Sequence, residues 1–299
     1  MIHYDPHRWL DHFFDIRGSL VKEIIGRVLL CVAWSVAVVF FHNFVYPVAI
    51  PSLLHTLVGV ALGLLLVFRT NASYDRFWEG RRLWGGIVND CRNLIRLAVV
   101  HIKEEPELLG RLTLWTSLFP RAVMNVLRGE AGLSGYDTHV SVEIRQEIES
   151  AQHPALTVAV RMSECVVEGR RLGLYPDIIH ASLDRNIQAL VDHLGGCERI
   201  RKTPLPFAYV VHLRRALVAY CFTLPFALVD TFGYTTILDV LFLSYTYFGI
   251  EEIGVEIEGP FGHDDNDLPL EDICDSIHHH VYAIAGIQVW KREKLPEGL

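Results

Sequence analysis

Four glutamates, Glu251, Glu252, Glu256 and Glu258, crowd one short stretch of this chain. On one helix, their spacings of four and seven bring some of them to a common face. Repeated around a symmetry axis, one such carboxylate per subunit makes a ring that favours cations. Paired with Arg214, Arg215 or other arginines, the same carboxylates are structural. Just downstream, Asp264, Asp265, Asn266 and Asp267 offer hard oxygens of the kind calcium takes, about six to eight at a time. The run lacks the alternating ligands and the sixth-position glycine of an EF-hand loop. A solvated loop, with Asp267 capping a helix opened by Pro269, is the other reading. His278, His279 and His280 diverge by about 100° each on a helix, so they cannot grip one ion and are read as surface histidines. Six cysteines (Cys31, Cys91, Cys165, Cys197, Cys221, Cys274) form no CxxC pair and are read as reduced thiols. No HExxH segment and no nucleophile–base pair is recognisable.

These residues must be positioned by a chain that is 51% hydrophobic yet 21% charged. A mean hydropathy of +0.27 alongside that charge implies segregation, with some stretches in lipid and others in water. The net charge of −8 and the absence of a basic arm exclude general nucleic-acid binding. The polar, mixed-charge start lacks the features of a cleaved signal peptide, so the first apolar run is expected to be retained as a span.

The hydropathy pattern predicts an all-α integral membrane protein with four spans and a cytosolic helical bundle. Residues 1–26 are a cytosolic N-terminal segment, and 27–69 a first transmembrane hairpin with spans near 27–46 and 51–68. Residues 70–204 form the cytosolic helical region. Residues 205–255 form a second hairpin, with spans near 207–229 and 235–252, and 256–299 an acidic loop and C-terminal helix. Arg8, Arg17, Lys22 and Arg27 before the first run, and Arg69, Arg76, Arg81 and Arg82 after the second, place both flanks in the cytosol. An inner cell membrane, with both termini cytosolic, is the expected location. Arg214 and Arg215 interrupt the third run: either that helix starts in the cytosol and enters lipid near Ala216, or the arginines face protein.

In the cytosolic region, Leu83, Ile87, Cys91, Leu94, Ile95 and Ala98 make a helical stripe. Further amphipathic helices are expected near 106–128, 140–152, 154–172 and 176–195, with Pro154 and Pro176 in first turns. The glycine-rich stretch 128–139 reads as a loop.

The second span carries two patterns. Gly59 and Gly63 make a GxxxG pair, which lets another helix approach closely. Leu53, Leu57, Ala61 and Leu65 make a wholly apolar stripe at fourfold spacing. In a monomer that stripe is lipid-facing or core surface. In a symmetric ring it could line a hydrophobic constriction that gates by dewetting. Tyr74, Arg76, Trp78, Arg81, Arg82 and Trp84 mix rings and cations at the inner membrane surface, where headgroup anchoring and subunit packing both suit them.

Three long segments resemble bestrophins, above all the bacterial and plant thylakoid branch: FRTNASYDRFWEGRRLWG (68–85), CERIRKTPLPFAYVVHLRRAL (197–217) and IEEIGVEIEGPFGHDDNDLPLEDIC (250–274). They occur in the family's order relative to the hydrophobic runs. The resemblance implies a homopentamer around one central pore, passing small inorganic ions through the bilayer. It places an apolar neck on Leu53, Leu57 and Ala61, with Leu65 within one helical turn of register, and a lower aperture on Leu205. The family usually has bulky Ile or Phe in the neck, which Ala61 departs from. Asp264 and Asp267 align with ligands of the calcium clasp of animal members, while Glu256 and Gly259 replace others, and the bacterial branch is not generally calcium-activated. The resemblance favours chloride, with no enzyme activity. A cation-selective channel stays open, because the family contains both. A metal-dependent membrane enzyme or a non-conducting scaffold would share the hydropathy but not the three segments.

Overall fold

In this computed structural model, residues 20–130 and 140–287 are described. Every regular element among them is helical: α1 (Val21–Phe44), α2 (Ser52–His101), α3 (Pro106–Arg128), α4 (Val142–Ser150), α5 (Pro154–Arg171), α6 (Asp177–Lys202), α7 (Phe207–Phe232), α8 (Thr236–Glu256) and α9 (Leu270–Ala285). A 3₁₀ turn, Gly233–Thr235, separates α7 from α8. Arg8, Arg17 and most of the glycine-rich loop lie outside the described residues. The chain divides into two compact units, Met1–Trp78 with Thr203–Asp267, and Glu79–Lys202 with Leu268–Leu299.

Three segments of the described residues, Val21–Phe44, Ser52–His101 and Phe207–Glu256, are long and apolar enough to cross a membrane. The third contains both α7 and α8, and its break falls at Gly233, whose φ of 55° a side chain would disfavour. The first unit packs α1 against α8 along most of their length, with α7 against both. Ile24, Val28, Leu62, Leu66, Leu213, Leu217, Leu224, Val240 and Phe248 form its core. A helix in lipid gains nothing by hiding apolar side chains, so this core is one of close packing and of satisfied polar groups.

The second unit is a bundle of helices around a buried apolar core. α2 runs for 50 residues, about 75 Å at 1.5 Å per residue, and its later half is amphipathic. Ile87, Cys91, Leu94, Ile95 and Ala98 are fully buried there, and Leu83 is half-buried. α3 begins with Pro106 in its first turn and ends at Gly129; almost every residue from Leu108 to Leu127 is buried, chiefly by α5 and α9. His153 caps α5, its ring nitrogen accepting the Leu156 N–H at 3.4 Å.

Among the described residues of this bundle, Arg121 and Arg128 bury their side chains and pair with carboxylates. The buried Arg121 guanidinium donates to Asp275 at 2.7 Å, and Arg128 grips both oxygens of Glu271. Burial disfavours the Glu271 carboxylate, but Arg128 and Arg121 outweigh it and hold its carboxyl below the ordinary 4.5. A depressed carboxylate gives its full stabilisation above its unfolded pKa and loses it as pH falls through the lower folded value. Acid titration of the whole protein, followed by circular dichroism, should therefore show helix loss beginning below pH 4.5. The Glu271→Gln variant should lose less stability over that same interval, and an unchanged acid limb would contradict the pairing.

Candidate functional site

The first half of α2 has two distinct sides. Leu53 and Leu57 are 73% and 61% exposed, and Ala61 is exposed on the same side. Leu65 is half-buried and packs on the core. The reason is geometric: a strict spacing of four drifts by about 40° per step on a helix of 3.6 residues per turn, so three steps turn Leu65 away from Leu53. The exposed line runs instead through Leu53, Leu57, Val60 and Leu64.

Three tyrosines grip the opposite side. The Tyr247 hydroxyl donates to Gly59 O at 3.1 Å and that of Tyr209 to Leu65 O at 2.8 Å. Tyr220 lies against His55 and Gly59, its ring tilted on the His55 ring at 4.1 Å and edge-on to Tyr247 at 5.2 Å. The His55 Nε2 shares the Tyr220 carbonyl and the Thr223 hydroxyl, each at 3.2 Å. Away from water, such polar atoms must find partners within the protein, and here they fasten the helix while doing so.

The GxxxG pair works differently from its sequence reading. A Cβ on Gly59 would meet the Tyr220 hydroxyl at 2.8 Å, so this glycine admits an aromatic ring rather than a neighbouring helix backbone, and Gly63 has open space within this chain. Gly59→Ala should lower stability by about 1–3 kcal/mol through overpacking. Tyr220→Phe, which removes the clashing oxygen, should restore part of that loss. Thermal unfolding of the three detergent-solubilised proteins checks this; an undisturbed Gly59→Ala protein would contradict it.

Three arginines of the first unit converge on one carboxylate. Glu251 of α8 accepts from Arg69 of α2 at 2.5 Å and from Arg214 of α7 at 2.9 Å. Arg27 of α1 stands 3.5 Å from Glu251 and 2.7 Å from Glu252. Arg69 and Glu251 are 1% and 2% exposed. One buried carboxylate thus ties α1, α2, α7 and α8 together. Three guanidiniums against two carboxylates leave this cluster one positive charge in excess. Arg214 and Arg215 are both exposed, and Arg214 reaches back to Glu251.

Of the four glutamates, only three lie on α8, because the helix ends at Glu256 and Glu258 sits in the turn beyond it. That placement gives Glu258 a different task. Its carboxylate accepts the Leu205 N–H at 3.0 Å, while its carbonyl accepts from Arg76 Nε at 3.1 Å. Arg76 also donates to Thr203 O. Arg76 and Glu258 together fix the backbone at Thr203–Leu205, leaving Leu205 half-buried.

The acidic loop folds on itself. Asp264 and Asp265 are exposed; Asp267 is buried, and its carboxylate accepts the Asp264 N–H at 2.9 Å. Asn266 donates to Glu256 at 3.0 Å. The N-cap of α9 falls on Pro269, which supplies no side-chain cap. Among the described residues, no group of three or more His, Cys, Asp or Glu side chains gathers as a metal site. His279 and His280 are exposed, but His278 is buried with its ring 4.5 Å from Tyr282, a correction to its reading as a surface residue.

Sequence reasoning missed the three tyrosines and the double role of Arg76. Nothing in a linear pattern marks a tyrosine in an apolar run as a clamp, although its hydroxyl requires a partner there.

Comparison with known proteins agrees with this geometry. The Bacterial/Fungal Bestrophin family profile matches residues 1–283. A voltage-dependent anion channel-forming protein of Nostoc sp. is 40% identical over 278 residues, covering 91% of this chain and 90% of that protein. One of the same description from Synechocystis sp. is 37% identical, covering 95% and 94%. The crystal structure of a bacterial bestrophin homologue from Klebsiella pneumoniae superposes with a TM-score of 0.83 at 30% identity, over 89% of this chain and 99% of that one.

Proposed function

This chain belongs to the Bacterial/Fungal Bestrophin family, and we propose from that premise that it forms a homopentameric anion channel in the inner cell membrane. The observation that carries the proposal is the apolar side of α2, exposed at Leu53, Leu57 and Ala61 and clamped from behind by tyrosines. A ring of these side chains around an axis makes a dewetting neck. Leu64, on the same exposed line, closes its lower end. α1, the first half of α2, α7 and α8 are the four spans, and both termini face the cytosol. Leu205, held by Glu258, forms the second aperture.

Anion selectivity rests on two supports. The Nostoc and Synechocystis relatives carry the description of anion channel-forming proteins. Of the four carboxylates that could build a cation-selecting ring, Glu251 and Glu252 pair with arginines, Glu256 accepts from Asn266 and Glu258 accepts the Leu205 N–H. No chemistry on a substrate is assigned to the chain.

Leu205→Ala should raise single-channel conductance or relax ion selectivity. Glu258→Ala, which frees the Leu205 N–H, should move the current in the same direction. Unchanged currents in both variants, recorded in planar bilayers, would remove the aperture role. Native mass spectrometry tests the assembly: a complex of five chains supports it, and a monomer that conducts nothing refutes it.

A further inference from the structure

The arginine cluster of the first unit carries a charge that its own carboxylates leave unbalanced, and an apolar groove begins beside it. Arg27 of α1 and Arg214 of α7 both reach Glu251, at 3.5 Å and 2.9 Å, so guanidiniums of two helices are brought together. Each is about half exposed, while the carboxylate they share is buried. A cavity of about 180 Å³ runs between the same two helices, walled by Leu30, Cys31, Trp34, Val218, Phe222 and Phe248, with Arg27 at its edge. Arg27, Leu30, Cys31 and Trp34 repeat at helical spacing, so the groove follows α1 for about 10 Å from the guanidinium. At its far end the Trp34 ring stacks on Phe222 at 4.7 Å, and its indole N–H donates to Phe222 O at 3.0 Å, holding α1 and α7 in register. Leu30, Val218 and Phe222 are exposed, so the groove opens outward between two segments apolar enough to span a membrane.

We propose that this groove binds an acyl chain of one anionic phospholipid, whose phosphate is held by Arg27 and Arg214. The hydrocarbon of one leaflet is about 15 Å deep, so a groove of this length takes the upper part of a chain and sets its headgroup at the arginines. Guanidiniums match phosphate oxygens through paired N–H donors, and basic pockets between membrane helices gather anionic headgroups. Charge decides among lipids. The cluster has three guanidiniums and two carboxylates, so a headgroup with a single negative charge, as in phosphatidylglycerol, brings it to neutrality. Phosphatidylcholine and phosphatidylethanolamine carry their own cation and leave the excess in place. Inorganic phosphate has the charge without the chain. The orientation proposed above puts the site in the cytosolic leaflet; the site rests on that reading for its leaflet alone.

The test uses the full-length protein in detergent, given dioleoyl phosphatidylglycerol or dioleoyl phosphatidylcholine at equal ratio and read by native mass spectrometry and thermal unfolding. The expected result is one phosphatidylglycerol retained per chain, preferred about tenfold over phosphatidylcholine, with a rise in unfolding temperature that high salt reduces. Arg27→Gln leaves two guanidiniums against two carboxylates and should abolish the preference. Val218→Trp fills the groove from its exposed side without touching an arginine, and should lower retention of the lipid. Equal retention of the two lipids, an equal temperature shift with inorganic phosphate alone, or unchanged retention in both variants would each overturn the proposal. So would a Val218→Trp protein that keeps its lipid but no longer assembles, because a second copy of the chain would then cover the groove.

Discussion

Glu251→Ala is expected to destabilise the protein by about 3–5 kcal/mol, because it strips the partner from a charge that cannot reach water. Arg69, at 1% exposure, would keep its guanidinium with its carboxylate gone. Against the roughly 5–15 kcal/mol that holds a folded protein together, such a loss is severe. Arg27 and Arg214 are about half exposed and can hydrate, so the damage comes from Arg69. Replacing both buried charges, Arg69→Met with Glu251→Leu, should recover much of the loss, since a pair exchanged for apolar groups of similar volume is often close to neutral. Thermal unfolding and the yield of assembled protein in detergent measure this. A Glu251→Ala protein of full stability but altered selectivity would return Glu251 to the pore lining and refute the clasp.

Charge at Leu57 should have the largest effect on current. Leu57 is 61% exposed within its own chain, so Leu57→Lys or Leu57→Asp leaves the packing of the first unit intact. In the proposed neck the same position is surrounded by its symmetry copies, and a ring of apolar side chains there excludes water. A charged ring holds water and removes the barrier. Each 1.4 kcal/mol taken from a barrier is tenfold in rate, so a conductance increase of about tenfold is the scale to expect. Lysine should keep the preference for anions, and aspartate should weaken it. Wild-type conductance in both variants, at normal expression and assembly, would move the neck off this stripe.

The sequence made much of this architecture legible, for local reasons. α3 announces itself through Pro106 in its first turn and Gly129 at its end, and the stripe from Ile87 to Ala98 repeats at helical spacing. The pairing of Glu251 with Arg214 was one of two open readings. Its closest partner was not legible: Arg69 lies 182 residues away and reads as one more arginine flanking a span. Fourfold spacing picked out Leu53 and Leu57 correctly as neighbours on one face but overran the helix period by Leu65. Glu258 was placed on a helix that ends two residues earlier, since no breaker follows Glu256 until Gly259. The burial of His278 depends on α9 packing against α3, which neighbouring residues do not encode.

The most direct test of the central claim is the reversal potential of the purified protein in a planar bilayer under a potassium chloride gradient. A reversal near the chloride equilibrium potential is predicted, with Glu251 and Glu252 structural. A reversal near the potassium equilibrium potential would contradict anion selectivity and assign a cation-selecting role to carboxylates beyond the arginine cluster.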